Sequence, residues 1–177
     1  MKEDKTMNAL ERVVNQAISN GETAKAYLCR LQLPKQFSND CRQANDIYKK
    51  VQSDFCKSVM RKTGDTPRYI TVRTENSDNP EYAFCLFTKK DASLDKPEYE
   101  EKGREIANGK VGQAGWGRGT LDVVELIKDA PRFTISSPVQ ITAENKCSVI
   151  GQLQRHLQDK STSSNHQRTL FVSKMRQ

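Results

Sequence analysis

Residues 68–87 read RYITVRTENSDNPEYAFCLF. Two runs rich in aromatic and β-branched residues, 69–74 and 82–88, flank the polar stretch Asn76-Ser77-Asp78-Asn79-Pro80. Such residues favour a pleated, packed surface, whereas Asn, Ser, Asp and Pro favour turns by bonding to nearby backbone or by fixing φ. The pattern predicts two strands joined by a polar loop as an antiparallel hairpin.

The sequence on either side supplies the rest of the domain. Residues 26–33 alternate, with Tyr27, Cys29, Leu31 and Leu33 on one side, Arg30 and Gln32 on the other, and Pro34 as the stop. Before this strand, Met7, Leu10, Val13, Val14, Ala17 and Ile18 form a helical stripe closed by Asn20-Gly21. After it, Ser38, Asn39 and Asp40 offer N-caps for a long helix carrying Ala44, Ile47, Tyr48, Val51, Phe55 and Val59, ending near Lys62 and stopped at Gly64. Beyond the hairpin, a helix starts near Pro97 and carries Tyr99 and Ile106 towards glycine-rich residues 112–119. Strands are predicted over 121–127 and 132–136, around the turn Lys128-Asp129-Ala130-Pro131. A helix over 143–158 places Cys147, Ile150, Leu153 and Leu157 on one face, and residues 170–172 add an edge strand. The order αβαββαββαβ predicts an α+β fold, an antiparallel sheet of about five strands with helices packed on one side.

Its 177 residues make one domain, 1–177, the expectation. The net charge of +7 is uneven: residues 1–66 carry 12 basic and 8 acidic side chains, 67–140 carry 11 and 12, and 141–177 carry 6 and 2. Basic ends around a near-neutral middle favour a polyanionic partner through counterion release. Neither a membrane-spanning apolar run nor a secretory signal pattern is found, so a soluble cytoplasmic protein with no membrane partner is expected. The five cysteines, Cys29, Cys41, Cys56, Cys85 and Cys147, include no Cys-x-x-Cys pair, and only His156 and His166 offer imidazoles. Buried, reduced thiols are expected rather than a zinc site. Residues 112–120, GQAGWGRGT, lack the strand-before, helix-after setting of a phosphate-binding fingerprint. They read as a flexible connection in which Trp116 caps the core, and no cofactor is expected.

Most of the chain, from the strand over 26–34 through IYKKVQSDFCKSVMRK (47–62) and PRYITVRTENSDNPEYAFCLFTKKDA (67–92) to RTLFVSKMRQ (168–177), resembles the YagK/YfjJ family of prophage proteins. That family overlaps the inovirus-type replication proteins related to HUH endonucleases, and the resemblance implies a sheet of HUH or RNA-recognition-motif type. In the family, the second hairpin strand begins with a His-Tyr-His triplet, at the position of Glu81-Tyr82-Ala83 here. HUH chemistry uses two imidazoles to hold a divalent cation at the scissile phosphate and a tyrosine to attack it. Glu81, with Glu75 before it, is a weak oxygen-ligand candidate, and Ala83 offers no donor, so no metal is expected. The family's nucleophile belongs on the last helix, where VIGQLQRHLQDK (149–160) has Arg155 and His156 but no tyrosine. Tyr27, Tyr48, Tyr69 and Tyr82 fall in core elements, leaving Tyr99 as the remaining candidate, itself readable as a half-buried helix residue.

The resemblance therefore implies a scaffold without catalytic residues. It makes Arg30, Arg68, Arg73, Lys89 and Lys90 the expected phosphate contacts, although such charges also suit a solvated sheet edge. Arg73 carries most weight, because it alternates with Ile70 and Val72 and is expected to face away from the helices. Arg155 and Lys160, with Arg168, Lys174 and Arg176, form a second expected patch. The expected function is a DNA-binding protein of a prophage or other mobile element, acting on replication or transcription by occupying a site. A protein-binding antagonist of a host defence or a competing phage, and a residual rolling-circle nickase using Glu75, Glu81 and Tyr99, are the alternatives.

Overall fold

The apolar run of the central hairpin has no polar side to offer water, and the fold gives it none. The computed structural model describes residues 2–19, 23–38, 41–74, 79–89, 93–116, 129–157 and 170–173. Within these the chain runs α1 (Lys2–Ala17), β1 (Ala24–Gln32), α2 (Cys41–Thr63), β2 (Arg68–Thr74), β3 (Glu81–Lys89), α3 (Lys96–Trp116), β4 (Arg132–Ile135), β5 (Val139–Ile141), α4 (Lys146–Leu157) and β6 (Leu170–Val172). The predicted strand over 121–127 and the loop at 76–78 lie outside the described residues. The fold is α+β: every described strand pair is antiparallel, in the order β4-β1-β3-β2-β6, with β5 pairing beside β4 along β1.

The hairpin forms as expected, in a register from Arg68 opposite Phe87 to Thr74 opposite Glu81. The expectation of helices on one side is corrected. Tyr82, Phe84 and Leu86 pack with Tyr27, Cys29 and Leu31 under α2 and α3, forming one core. Cys85 and Phe87 pack with Ala26, Ile70 and Val72 under α1 and α4, forming a second. Both parities of β3 are apolar and all its residues but the two ends are buried, as in strands covered on both faces. The sheet is the middle of three layers.

Local chemistry fixes the ends. Gly64 adopts φ +78°, and its N–H bonds the Met60 carbonyl at 2.8 Å, closing α2 with a left-handed residue as the sequence predicts. The edge strand beside β1 breaks at Ser136-Ser137-Pro138, where proline cannot donate to a ladder. The Leu28 N–H instead donates to the Ser136 hydroxyl at 2.9 Å, and His156 Nε2 donates to the Cys29 carbonyl at 2.9 Å. All five cysteines are free, but only Cys29 and Cys85 are buried; Cys147 is exposed, because α4 turns Val149, Ile150, Leu153 and Leu157 inward instead.

Helix α3 packs so closely on β4 that a Cβ at Gly103 would lie within 3.0 Å of three ring carbons of Phe133. Alanine gains about 1 kcal/mol of helix propensity over glycine, whereas overpacking costs about 1–3 kcal/mol or more. Phe133 is held by Phe55 and Phe84, so it has little room to yield. Gly103→Ala is expected to lower the urea midpoint, and Phe133→Leu in that background to restore part of the loss. A Gly103→Ala protein more stable than the parent would contradict this packing.

Candidate nucleic-acid interface

The hairpin cations are not gathered into one surface. Arg30 and Glu81 continue the parity of Ala26 and Cys85, so they point to the α1/α4 side, where Arg30 Nη1 lies 3.0 Å from Glu81 Oε1. Both ends of the pair are partly exposed, at 29% and 22%. Arg68 points to the same side from the other end of β2, and its Nη1 donates to Gln16 Oε1 of α1 at 2.8 Å. Lys89, at the end of β3, is exposed and sits 3.7 Å from Asp65. Five residues of strand, about 17 Å, separate Arg68 from Arg73. Lys90, Glu75 and Lys160 lie outside the described residues.

Arg73 overturns the expectation placed on it. It does alternate with Ile70 and Val72, but a second pair of helices covers the face it points to. Its side chain is 4% exposed, with Nη2 3.0 Å from Cys41 Sγ at the start of α2. It is enclosed beside a line of polar groups under α2: Tyr82 donates to Asn45 Oδ1 at 2.7 Å, and Tyr48 bonds both Gln52 and Thr71. Burial pushes the Tyr82 phenol up, with the Arg73 guanidinium pulling the other way. Arg73→Ala is therefore expected to cost about 1–3 kcal/mol of stability, the usual consequence of opening a buried polar cluster. A variant with unchanged denaturation and selectively lost nucleic-acid binding would restore the original expectation.

On α4, Arg155 is exposed and His156 is held against β1. Tyr99, on α3, is 1% exposed and packed edge-on to Phe55, more buried than the sequence suggests. It belongs to the core under α2 and α3, whereas Glu81 points to the opposite face of the sheet. Among the described residues, no three His, Cys, Asp or Glu side chains come together in a way that would hold a metal ion.

Among the described residues, the densest exposed positive charge lies elsewhere, along α2. Arg42, Lys49, Lys50, Lys57 and Arg61 are exposed, and at 100° per residue they fall within a stripe about 120° wide on the side away from Ala44, Val51, Phe55 and Val59. Asp46 is the one acid in that stripe. Asp54, beside it, bonds Lys110 at 2.9 Å and lies 4.0 Å from Lys57. The Lys110 hydrogen bond holds its carboxyl below the ordinary value. From Arg42 to Arg61 the stripe runs about 29 Å, at 1.5 Å per residue. Its spacing was visible in the sequence, as cations at 42, 49, 50, 57 and 61 on one helical face. From the sequence, this helix is read by its apolar stripe alone. Comparisons with protein-family models, curated proteins and solved structures gave no match.

Proposed function

We propose that the protein binds DNA through the exposed face of α2 and acts on replication or transcription by occupying a site, without cutting the strand. The observation that carries this is the α2 stripe, five exposed cations against one acid on a rigid, well-packed helix. Regularly spaced cations on such an element neutralise phosphates and release counterions. The setting proposed is the cytoplasm, in a prophage or other mobile element of the YagK/YfjJ kind. No helix among the described residues is long and apolar enough to cross a membrane.

Loss of chemistry is supported by the arrangement around the triplet position. Glu81 and Ala83 share the face covered by α4, the side on which a nucleophile-bearing helix would have to lie. There the Glu81 carboxylate is engaged by Arg30, buried Ala83 has no donor, and α4 brings His156 against the Cys29 carbonyl while Arg155 points to solvent. A guanidinium already balances the one carboxylate, so these residues do not fit a divalent cation. Tyr99 cannot serve Glu81 from across the sheet.

Fluorescence anisotropy of labelled duplex and single-stranded DNA, titrated across salt, tests the binding. Parallel incubation with manganese tests for a covalent adduct. Binding that weakens steeply with salt, with no adduct, is the expected result. Salt-insensitive or absent binding would remove the DNA reading, and an adduct lost in Tyr99→Phe would remove the inactive one.

A further inference from the structure

Helices α2 and α3 do not cover the whole width of the sheet, and a groove is left between α2 and the β2/β6 edge. One part of it, about 310 Å³, is walled by Tyr48, Cys56, Met60, Tyr69 and Phe171, with Lys49 and Lys57 at its rim. A second hollow of about 250 Å³ continues it towards Asp65 and Pro67, and the two share Cys56, Thr66 and Tyr69. Met60, 40% exposed, is the one large apolar side chain exposed among the described residues, and it lies here. Each hollow is at or below the small end of the roughly 300–1,000 Å³ of ligand pockets, room for one bulky side chain apiece.

We propose that this groove docks an extended segment of a partner protein, placing one apolar side chain in each hollow and an acidic residue against Lys49 and Lys57. The rim charges set the occupant's chemistry. Lys49 and Lys57 stand at one end, while Asp65, 3.7 Å from Lys89, stands at the other. Arg68 turns its guanidinium away to Gln16. With Asp65 balanced by Lys89, the net positive charge is confined to Lys49 and Lys57 beside apolar walls, which suits a peptide with one acid among bulky apolar side chains better than a strand carrying a phosphate at every residue. Apolar anchors flanked by complementary charge supply most of the energy in such interfaces. Lys49 and Lys57 belong to both surfaces, so peptide and DNA compete for them, but the apolar anchoring in the groove does not depend on the DNA reading.

Thr66 is exposed, lies off α2 and borders both hollows, so Thr66→Trp fills the groove while leaving all five cations of α2 in place. A displayed library of random short peptides is selected on the wild-type protein and counter-selected on Thr66→Trp, with the variant's urea midpoint confirming its fold. Enriched peptides are expected to share two bulky apolar residues with Asp or Glu beside one of them. They should shift the ¹³C-methyl resonance of Met60 and bind Thr66→Trp about tenfold or more weakly, while its DNA affinity stays that of the parent. Failure to enrich any peptide that distinguishes the two proteins would overturn the proposal. So would oligothymidine shifting the Met60 methyl and losing that effect in Thr66→Trp, which would give the groove to a nucleic-acid strand.

Discussion

Replacing Phe84 with alanine is expected to cost about 3–5 kcal/mol, a large part of the roughly 5–15 kcal/mol by which domains of this kind are stable. Phe84 lies on the central strand, 1% exposed, with ring centroids 5.9 Å from Phe133 and 6.5 Å from Tyr48. It therefore joins the parts of the core contributed by α2 and β4. Truncation leaves a cavity that cannot collapse, because β1 and β2 hold the strand from both sides. Urea denaturation measures the loss. Met60→Ala, on the surface, should stay within about 0.5 kcal/mol of the parent, so the contrast separates burial from general sensitivity. A Phe84→Ala protein nearly as stable as the parent would mean that β3 is not the centre of the fold.

Alkaline pH is expected to unfold the protein through its buried thiols and phenols. Burial raises the Cys29 and Cys85 thiols, carries Cys56 from 9.0 to about 12, and raises the Tyr48 and Tyr82 phenols. Each of these groups holds its proton more tightly folded than unfolded. Their contribution is thus complete below the unfolded values, 9.0 for thiols and 10.0 for phenols, and is lost as pH rises towards the folded ones. One such group changes stability by up to about 1.4 kcal/mol per pH unit in that window. Urea midpoints should therefore be level up to about pH 8 and fall steeply between about pH 9 and 11. The Cys85→Ala variant should show a shallower fall. A level profile through about pH 11 would contradict burial of these groups.

Much of the fold was legible because local and tertiary preferences agree. The Asn-Pro loop with its flanking β-branched and aromatic runs gave the hairpin, Pro34 and Gly64 marked true ends, and α2's stripe of Ala44, Val51, Phe55 and Val59 is the face it buries. The layering departs from the expectation because the order αβαββαββαβ does not say how many faces of the sheet the helices cover. The unbroken run Tyr82-Ala83-Phe84-Cys85-Leu86-Phe87 carried the contrary signal, since a strand open to water on one side keeps polar residues there. Arg73 departs from its expectation for the same reason: its parity was right, but the face it points to is also covered. A short strand, Val139–Ile141, escaped notice because three residues past a proline show no periodicity. The site was less legible still. Whether Arg30 meets Glu81 or a phosphate depends on strand register, which pairs Gln32 with Glu81 and so brings Arg30 alongside, and composition does not encode that register.

The salt dependence of DNA affinity, measured for the wild-type protein and for a variant combining Arg42→Glu, Lys50→Glu and Arg61→Glu, tests the central claim most directly. None of the three side chains is buried or lines the groove, so the variant should fold, as its urea midpoint will report. Five phosphate contacts give the wild type a slope of log K against log salt of about −4 to −5. The variant should retain a slope of about −2 and bind at least about a hundredfold more weakly at moderate salt. Arg30→Ala, at the other side of the sheet, should change neither. Equal slopes and affinities for wild type and the triple variant would contradict binding through α2, and a loss confined to Arg30→Ala would return the interface to the α1/α4 side of the sheet.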